Sequence, residues 1–470
     1  MVRGARRQLL RREHGIGIQI CITLFLSASI GSTGSAQSSA EAQLPSIIGL
    51  PLDNGEFVAK MIDQPHEETE LAEGNDDAAK KAFESKEYIT ALHLNPSGYP
   101  LLSGIDAPSA SAGAAWYGRT GDPGTSRLTE WASYPTASFT HGKDIFKLTI
   151  GFISLDAGTP APDTQIGGPG PPVRAPTTRL GLGVAPEISW SREGSVRPFL
   201  AVGSTPFNGI VGPTIEGHLG AAVQLGETNL TAQVYRTSVT DSILSYTSIV
   251  DPSTGLGFGR VVETGGKVEI ERPITERWDF DGTASAGVLR GVDVADNTHF
   301  SIQTNASYDL RLPLFDSFTI GPSYLYDSYS RNLSGFTLGQ GGYFSPQASH
   351  KVGISIDFQS RGGRDFVIRG NLFPGWSVNY QASSPVFPLS DNGEQVPASH
   401  QHGESVSGEL AAAYRLTARL SLGGLVRFRQ SPVYNDLVVG LYLRLSFSPR
   451  AALFSSDLPT AASLLGPSER

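Results

Sequence analysis

Between Ala110 and Phe447, apolar and polar residues alternate with a period of two in short runs separated by Gly, Pro, Asn, Asp and Ser clusters. That is the pattern of β-strands with one apolar and one polar face. In Ile145–Leu155, Phe146, Leu148, Ile150 and Phe152 oppose Lys147, Thr149 and Gly151. In Thr178–Trp190, Leu180, Leu182, Val184, Ile188 and Trp190 oppose Arg179, Gly181, Gly183, Glu187 and Ser189. In His350–Phe358, Val352, Ile354, Ile356 and Phe358 oppose Lys351, Gly353, Ser355 and Asp357. In Arg419–Gln430, Leu420, Leu422, Val426 and Phe428 oppose Arg419, Ser421, Arg427 and Arg429. In Leu437–Phe447, Val439, Leu441, Leu443, Leu445 and Phe447 oppose Gly440, Tyr442, Arg444 and Ser446.

These runs are longer than the five or six residues, roughly, of an average soluble strand, and near the length that crosses a tilted path through a bilayer. Their second face is rich in Gly, Ser, Arg and Lys, which suits a water-filled lumen with lipid outside. A soluble sandwich alternates too, but with shorter strands. The expected fold is all-β: a transmembrane antiparallel β-barrel of about sixteen strands. In Ser317–Asp327, Phe318, Ile320, Tyr324 and Tyr326 share a face, as in a ring girdle at headgroup depth.

By this alternation the lumen set comprises Arg179, Glu187, Lys351, Asp357 and Arg369 in the first part of the barrel and its middle. Arg419, Arg427, Arg429, Tyr442 and Arg444 complete it near the end. For any one of them, solvating the wall or pairing with a neighbour is the plainer role.

The rest of the chain looks different. Residues 1–36 read as a secretory signal: Arg3, Arg6, Arg7, Arg11 and Arg12 precede an apolar stretch from Ile16 to Ile30, and Gly34, Ser35 and Ala36 offer a cleavage site. Removing the five arginines and Glu13 takes the formal charge from −9 to −13, which makes nucleic acid an unsuitable partner. Cys21 is the sole cysteine and lies in the signal, so the exported chain carries no disulfide or thiolate metal site. Residues 37–109 read as a polar linker or plug-like segment with one short helix over Asn75–Lys86. Residues 110–447 are the barrel and 448–470 a tail.

Several ordered strings carry a specific resemblance. They are Ile153–Thr159 (ISLDAGT), Val239–Gly255 (VTDSILSYTSIVDPSTG) followed by Gly259–Gly265 (GRVVETG), Val292–Phe300 (VDVADNTHF), and Tyr329–Gln347 (YSRNLSGFTLGQGGYFSPQ). Residues 110–447 resemble the C-terminal domain of cellulose synthase operon protein C, and Asp156, Asp241, Tyr343, Phe344 and Pro346 fall in the matching strings. The resemblance implies a sixteen-stranded outer-membrane barrel that passes growing β-1,4-glucan out of the periplasm. Its implied partners are the glucan, outer-membrane lipid, and an inner-membrane cellulose synthase reached directly or through a separate periplasmic protein. Members of the family usually carry a long tetratricopeptide array before the barrel. Here Asn75–Pro96 has only faint repeat character, and a single repeat cannot bury its own core. The tail also leaves the last strand internal.

No HExxH, Walker loop or GxSxG occurs, and no enzyme, metal or cofactor is expected. His400 and His402 read as a solvated loop, and the GLGFG string at 255–259 as a turn or loop. Tyr343 and Phe344 lie between strands, where they either line a constriction or fill a turn. The expected function is export of cellulose or a related exopolysaccharide. The rivals are a non-transporting structural or anchoring barrel and a secreted soluble polysaccharide binder.

Overall fold

A computed structural model describes residues 76–173, 175–390 and 393–466. The expected signal with Cys21, residues 37–75 and residues 467–470 lie outside the described residues. The described chain starts with two helices, α1 (Asp76–Glu84) and α2 (Tyr88–Leu94), followed by a 3-10 turn at Pro100–Leu102. The single helix expected over Asn75–Lys86 is thus the first of a pair, because Lys86 adopts a left-handed φ of 60° and bends the chain into α2.

Strands follow: β1 (Ser109–Arg119), β2 (Leu128–Ser133), β3 (Thr136–His141), β4 (Asp144–Gly158), β5 (Thr178–Arg192), β6 (Val196–Ser204), β7 (Ile215–Leu225) and β8 (Thr228–Ser238). A loop carrying α3 (Ile243–Tyr246) and β9 (Ile249–Val250) leads to β10 (Gly257–Pro273), β11 (Trp278–Val292) and β12 (Asn297–Asp309). Then come β13 (Phe315–Tyr329), β14 (Ala348–Ser360) and β15 (Phe366–Gln381). The loop hairpin β16 (Ser384–Pro385) and β17 (Gln395–Val396) precedes β18 (Ser399–Arg415), β19 (Leu420–Gln430) and β20 (Asn435–Ser446). The chain returns through a 3-10 turn at Ser455–Asp457 to α4 (Ala461–Leu465).

The expected barrel of sixteen antiparallel strands is what forms. β2 and β3 are two halves of one barrel strand, both pairing with β1 and β4. Pro135, between them, has no N–H to donate. The short β9, β16 and β17 belong to loops. The barrel closes where β1 pairs with β20, from Ser109↔Ser446 to Arg119↔Asp436. Closure leaves no strand edge with unpaired backbone groups, the condition for crossing a bilayer with strands.

The two ends differ. One carries tight turns, such as Gly226–Glu227 between β7 and β8, where Gly226 takes the positive φ (64°) that a two-residue hairpin requires. The other carries long loops, including 159–177, 239–256 and 330–347. The outward face is apolar: Val352 and Ile354 on β14 stand 57% and 42% exposed while Gly353 and Ser355 between them face in.

The interior holds a buried apolar cluster. It joins Ala115 and Tyr117 of β1, Ile153 and Leu155 of β4, Ala411 and Ala413 of β18 and Leu425 of β19. Ile243, Leu244 and Tyr246 of α3 enter it from the loop end, and Leu458, Leu464 and Leu465 of the tail enter it as well. The tail is therefore folded inside the barrel.

Candidate functional site

Alternation on β8 and β10–β15 turns polar residues inward, and from the turn end to the middle of the barrel the described residues leave them open. A cavity of about 870 Å³ lies against this wall. Asn229 of β8, Glu271 of β10, Asp281 of β11, Gln303 and Asn305 of β12, Thr319 and Ser323 of β13, Lys351 and Asp357 of β14, and Asn371 and Phe373 of β15 line it. Two smaller spaces, about 550 and 420 Å³, lie toward β1–β7 and toward β14–β18. Lys86, at the α1–α2 elbow, borders all three. The helix pair thus divides the lumen near the turn end.

The pair is anchored on both sides. Arg197 of β6 donates to Glu87 at 3.4 Å, and the Thr90 N–H donates to Glu193 at 2.9 Å. Burial holds the Glu87 carboxyl above the ordinary range, with Arg197 opposing the shift. On the other side Tyr88 packs on Phe454 with ring centroids 4.9 Å apart, and its hydroxyl lies 3.2 Å from Ser455 Oγ. Ala82, Ala91, Leu102 and Ala452 complete this small core. Burial also pushes the Tyr88 hydroxyl up from its ordinary value.

One carboxylate holds the tail. Asp457, with a side chain 1% exposed, accepts from Arg444 of β20 at 2.7 Å, from Arg450 at 2.7 Å and from the Phe454 N–H at 2.8 Å. The Tyr442 hydroxyl donates to its carbonyl. Leu464 beyond it lies over two inward positions without side chains: a Cβ built at Gly113 or Gly440 would meet it at 3.1 or 2.6 Å.

At the loop end, Ser242 caps α3, its Oγ accepting from the Ser245 N–H at 3.3 Å. Asp241, just before, ties three parts together. Arg119 at the end of β1 donates to its carbonyl at 2.7 Å and stands 3.4 Å from its carboxylate. The Phe344 N–H of loop 330–347 donates to its Oδ2 at 3.0 Å. Tyr343 is 1% exposed among Val261, Leu289, Val294 and Leu333, and Asn297 donates to its hydroxyl at 3.1 Å. Burial holds that hydroxyl protonated, well above the ordinary phenol range. Pro346 is buried, and its carbonyl accepts from the Tyr329 N–H at 2.8 Å. Beneath this cover, His299 of β12 sits between Glu263 (3.2 Å) and Asp327 (3.5 Å), stacked on Tyr329 at 4.4 Å.

Of the ten residues expected in the lumen, Glu187, Lys351, Asp357, Arg369, Arg427, Arg429, Tyr442 and Arg444 occupy inward positions. Most of them have protein partners: Arg369 stands 3.9 Å from Glu409, and Arg429 makes a double contact with Asp436 at 3.1 and 3.0 Å. Two expectations are corrected. β5 carries one residue more than β4 between Gly183↔Ile153 and Leu180↔Leu155. This bulge turns Leu180 inward into the apolar cluster and carries Arg179 to the other face, paired with exposed Asp156. Arg419 lies in the β18–β19 turn, where its N–H donates to Thr417 Oγ1 at 3.2 Å, and is exposed. His400 and His402 lie on β18 rather than in a loop, their rings 4.6 Å from Tyr380 and 6.3 Å from Trp376.

Sequence reasoning did not single out Arg119, Asp457, Asn305 or Phe373. Asp457 carried a signal: it is the one acid in a tail stretch, 448–466, that also holds Arg450 and several leucines.

Comparison with known proteins places these features in context. The family model for the cellulose synthase operon protein C C-terminus matches residues 126–448. Cellulose synthase operon protein C of Xanthomonas axonopodis pv. citri (strain 306) is 30% identical over 272 residues, covering 52% of this chain and 18% of the relative. The protein of that name from Komagataeibacter xylinus is 26% identical over 323 residues, covering 62% of this chain and 23% of the relative. The chain thus spans about a fifth of the length of these curated relatives. Among solved structures, a bacterial polysaccharide outer membrane secretin aligns at a TM-score of 0.46 with 9% identity, over 73% of this chain and 99% of that one.

Proposed function

The chain belongs to the cellulose synthase operon protein C C-terminal family, and we propose that its barrel lies in the bacterial outer membrane and passes β-1,4-glucan or a related exopolysaccharide out of the cell. The observation that carries this reading is the open polar wall inside a barrel with an apolar exterior, in a chain of this family. A neutral chain must slide, so many weak contacts serve better than one tight site, by the same entry-versus-exit balance that governs channels. Side-chain amides and hydroxyls offer such contacts to sugar hydroxyls, and Phe373 offers an apolar face.

In this reading the short turns face the periplasm and the long loops the exterior. The polymer is pushed by its synthase in the inner membrane, which reaches the barrel directly or through a separate periplasmic protein. The barrel itself makes and breaks no bond. The apolar exterior fits lipid better than the water around a soluble polysaccharide binder, and retention in the membrane fraction after a carbonate wash separates the two.

One observation favours a second reading, a structural or glucan-anchoring barrel: both ends are covered, by α1–α2 and the tail at one and by loops 239–256 and 330–347 at the other. A clean deletion in a polymer-producing host without a second copy decides between them. Cellulase-released glucose is assayed in extracellular and periplasmic fractions. Export predicts that extracellular polymer disappears while periplasmic glucan accumulates, and that the full chain restores the pattern. Unchanged extracellular polymer overturns export in favour of the structural role.

A further inference from the structure

We propose that the glucan travels off the barrel axis, along the polar wall of β8 and β10–β15, while the tail stays seated on the opposite wall. This inference rests on the export reading above and assigns the path within it.

The interior is divided lengthwise. On the β1–β5 and β18–β20 side, the apolar cluster reaches from Ala413 near the turn end to Tyr117 and Ile243 near the loop end. Where that cluster lies a sugar hydroxyl meets mostly apolar side chains, and burying one unpaired is costly. The hydroxyl-lined space of about 550 Å³ toward β1–β7 lies beside it and is the alternative path that the test below must exclude. The tail on that side is held by two arginines on one buried carboxylate, and breaking such a pair leaves a charge stranded in the interior. Moving the tail aside for each passing chain therefore breaks these buried contacts.

The other side offers the matching chemistry. On β12, Ser307, Asn305 and Gln303 are successive inward positions, and Asn371 and Phe373 take the same role on β15. A strand tilted by ~40° with a rise of ~3.4 Å per residue advances about 5 Å along the axis per inward position. That is about one pyranose unit of an extended β-1,4 chain, so consecutive sugars meet consecutive side chains. Asn305 Oδ1 is buried yet accepts no hydrogen bond from the described residues. Phe373 presents a ring into the same cavity, with Lys351 Nζ 5.9 Å from its centroid.

Two measurements on the full chain test the path. The first locks the tail: Gly440→Cys with Leu464→Cys places two thiols where a Cβ at 440 and the 464 side chain already meet at 2.6 Å. Oxidised and reduced cells are compared for extracellular cellulase-released glucose, with the cross-link verified by gel shift. Export within about twofold in both states is expected. Export lost on oxidation and restored by reduction overturns the path. The second titrates cellohexaose into detergent-solubilised protein by calorimetry. Asn305→Ala and Phe373→Ala are each expected to weaken binding about fivefold or more, the usual worth of one hydrogen bond or ring contact. Ser138→Ala, in the space toward β1–β7, is expected to stay within about twofold. Binding that ignores Asn305 and Phe373, or that follows Ser138, overturns the path. Failure of the export reading looks different: wild-type protein binds no cellohexaose and its deletion leaves extracellular polymer unchanged.

Discussion

Inward positions on β4 and β12 occupy equivalent places in the same cylinder, yet they meet different surroundings. On β4, Ile153 and Leu155 are at most 1% exposed because α3 and the returning chain lie against that side. On β12, Gln303 and Asn305 border open space. Period-two alternation decides which way a side chain points. Whether that direction is wet or dry depends on segments distant in sequence that fill the interior after the strands are paired. The apolar inward residues on one side record where the protein packs against itself, and the polar ones on the other record where it does not.

Removing the filling from the dry side gives the largest effect. Asp457→Asn strands Arg450, 5% exposed, and weakens Arg444, at a cost of about 3–5 kcal/mol by the usual penalty for a broken buried pair. Hydrogen exchange over residues 448–466 is expected to speed up by two or more orders of magnitude, with the strands unchanged. Leu464→Ala is expected to cost about 2 kcal/mol or more, as for other buried leucines, and to loosen the same segment less. Next comes the loop-end clasp. Asp241→Ala removes the Phe344 hydrogen bond and the Arg119 contact, a loss of about 1–3 kcal/mol. More frequent openings in planar bilayers are the expected outcome, and an unchanged conductance trace contradicts the clasp.

A smaller effect concerns acidity. Because burial raises the Glu87 carboxyl in the docked helix pair, docking binds protons more tightly than the free segment does. Its contribution is full below the ordinary carboxylate value and fades as pH rises through the raised one. Arg197 opposes the shift, while Glu193 adds to it and Lys143 subtracts. Exchange over residues 76–94, corrected for intrinsic rates, is expected to be slower at about pH 4.5 than at about pH 7. Smallest of all is Gln303→Ala on the open wall, where thermal stability is expected to move by no more than about 0.5 kcal/mol. A large loss there means that Gln303 supports the fold and not only the cavity.

Much of the barrel was legible in the sequence. The run His350–Phe358 keeps strict alternation because its outer face is apolar and its inner face borders the open cavity over most of its length. Leu437–Phe447 alternates from Val439 on, and Val438 breaks the pattern where β20 enters the apolar cluster. Legibility fails where the interior changes character. Phe152, Ile153 and Leu155 are apolar on both faces, since β4 passes from lipid on one side to lipid outside and self-packing inside. The extra residue in β5 shifts the phase just there, so counting by twos put Arg179 on the wrong face. Arg419 fell one step before the start of β19, where a turn rather than the ladder sets direction. The site is less legible than the fold. Asp241 looks like any turn aspartate until Arg119 and Phe344, both more than a hundred residues away, converge on it.

A cask fails where its first and last staves meet. Here those staves are β1 and β20, and Leu464 lies across the joint, touching the space of Gly113 on one and Gly440 on the other. It acts as a rivet set from within. The seat of such a rivet exists only once β1 and β20 are paired, since each strand supplies half of it. Once set, it opposes sideways unzipping along a line that the β1–β20 ladder, the Thr120–Asn435 hydrogen bonds and Arg119 over the Tyr434 ring also hold.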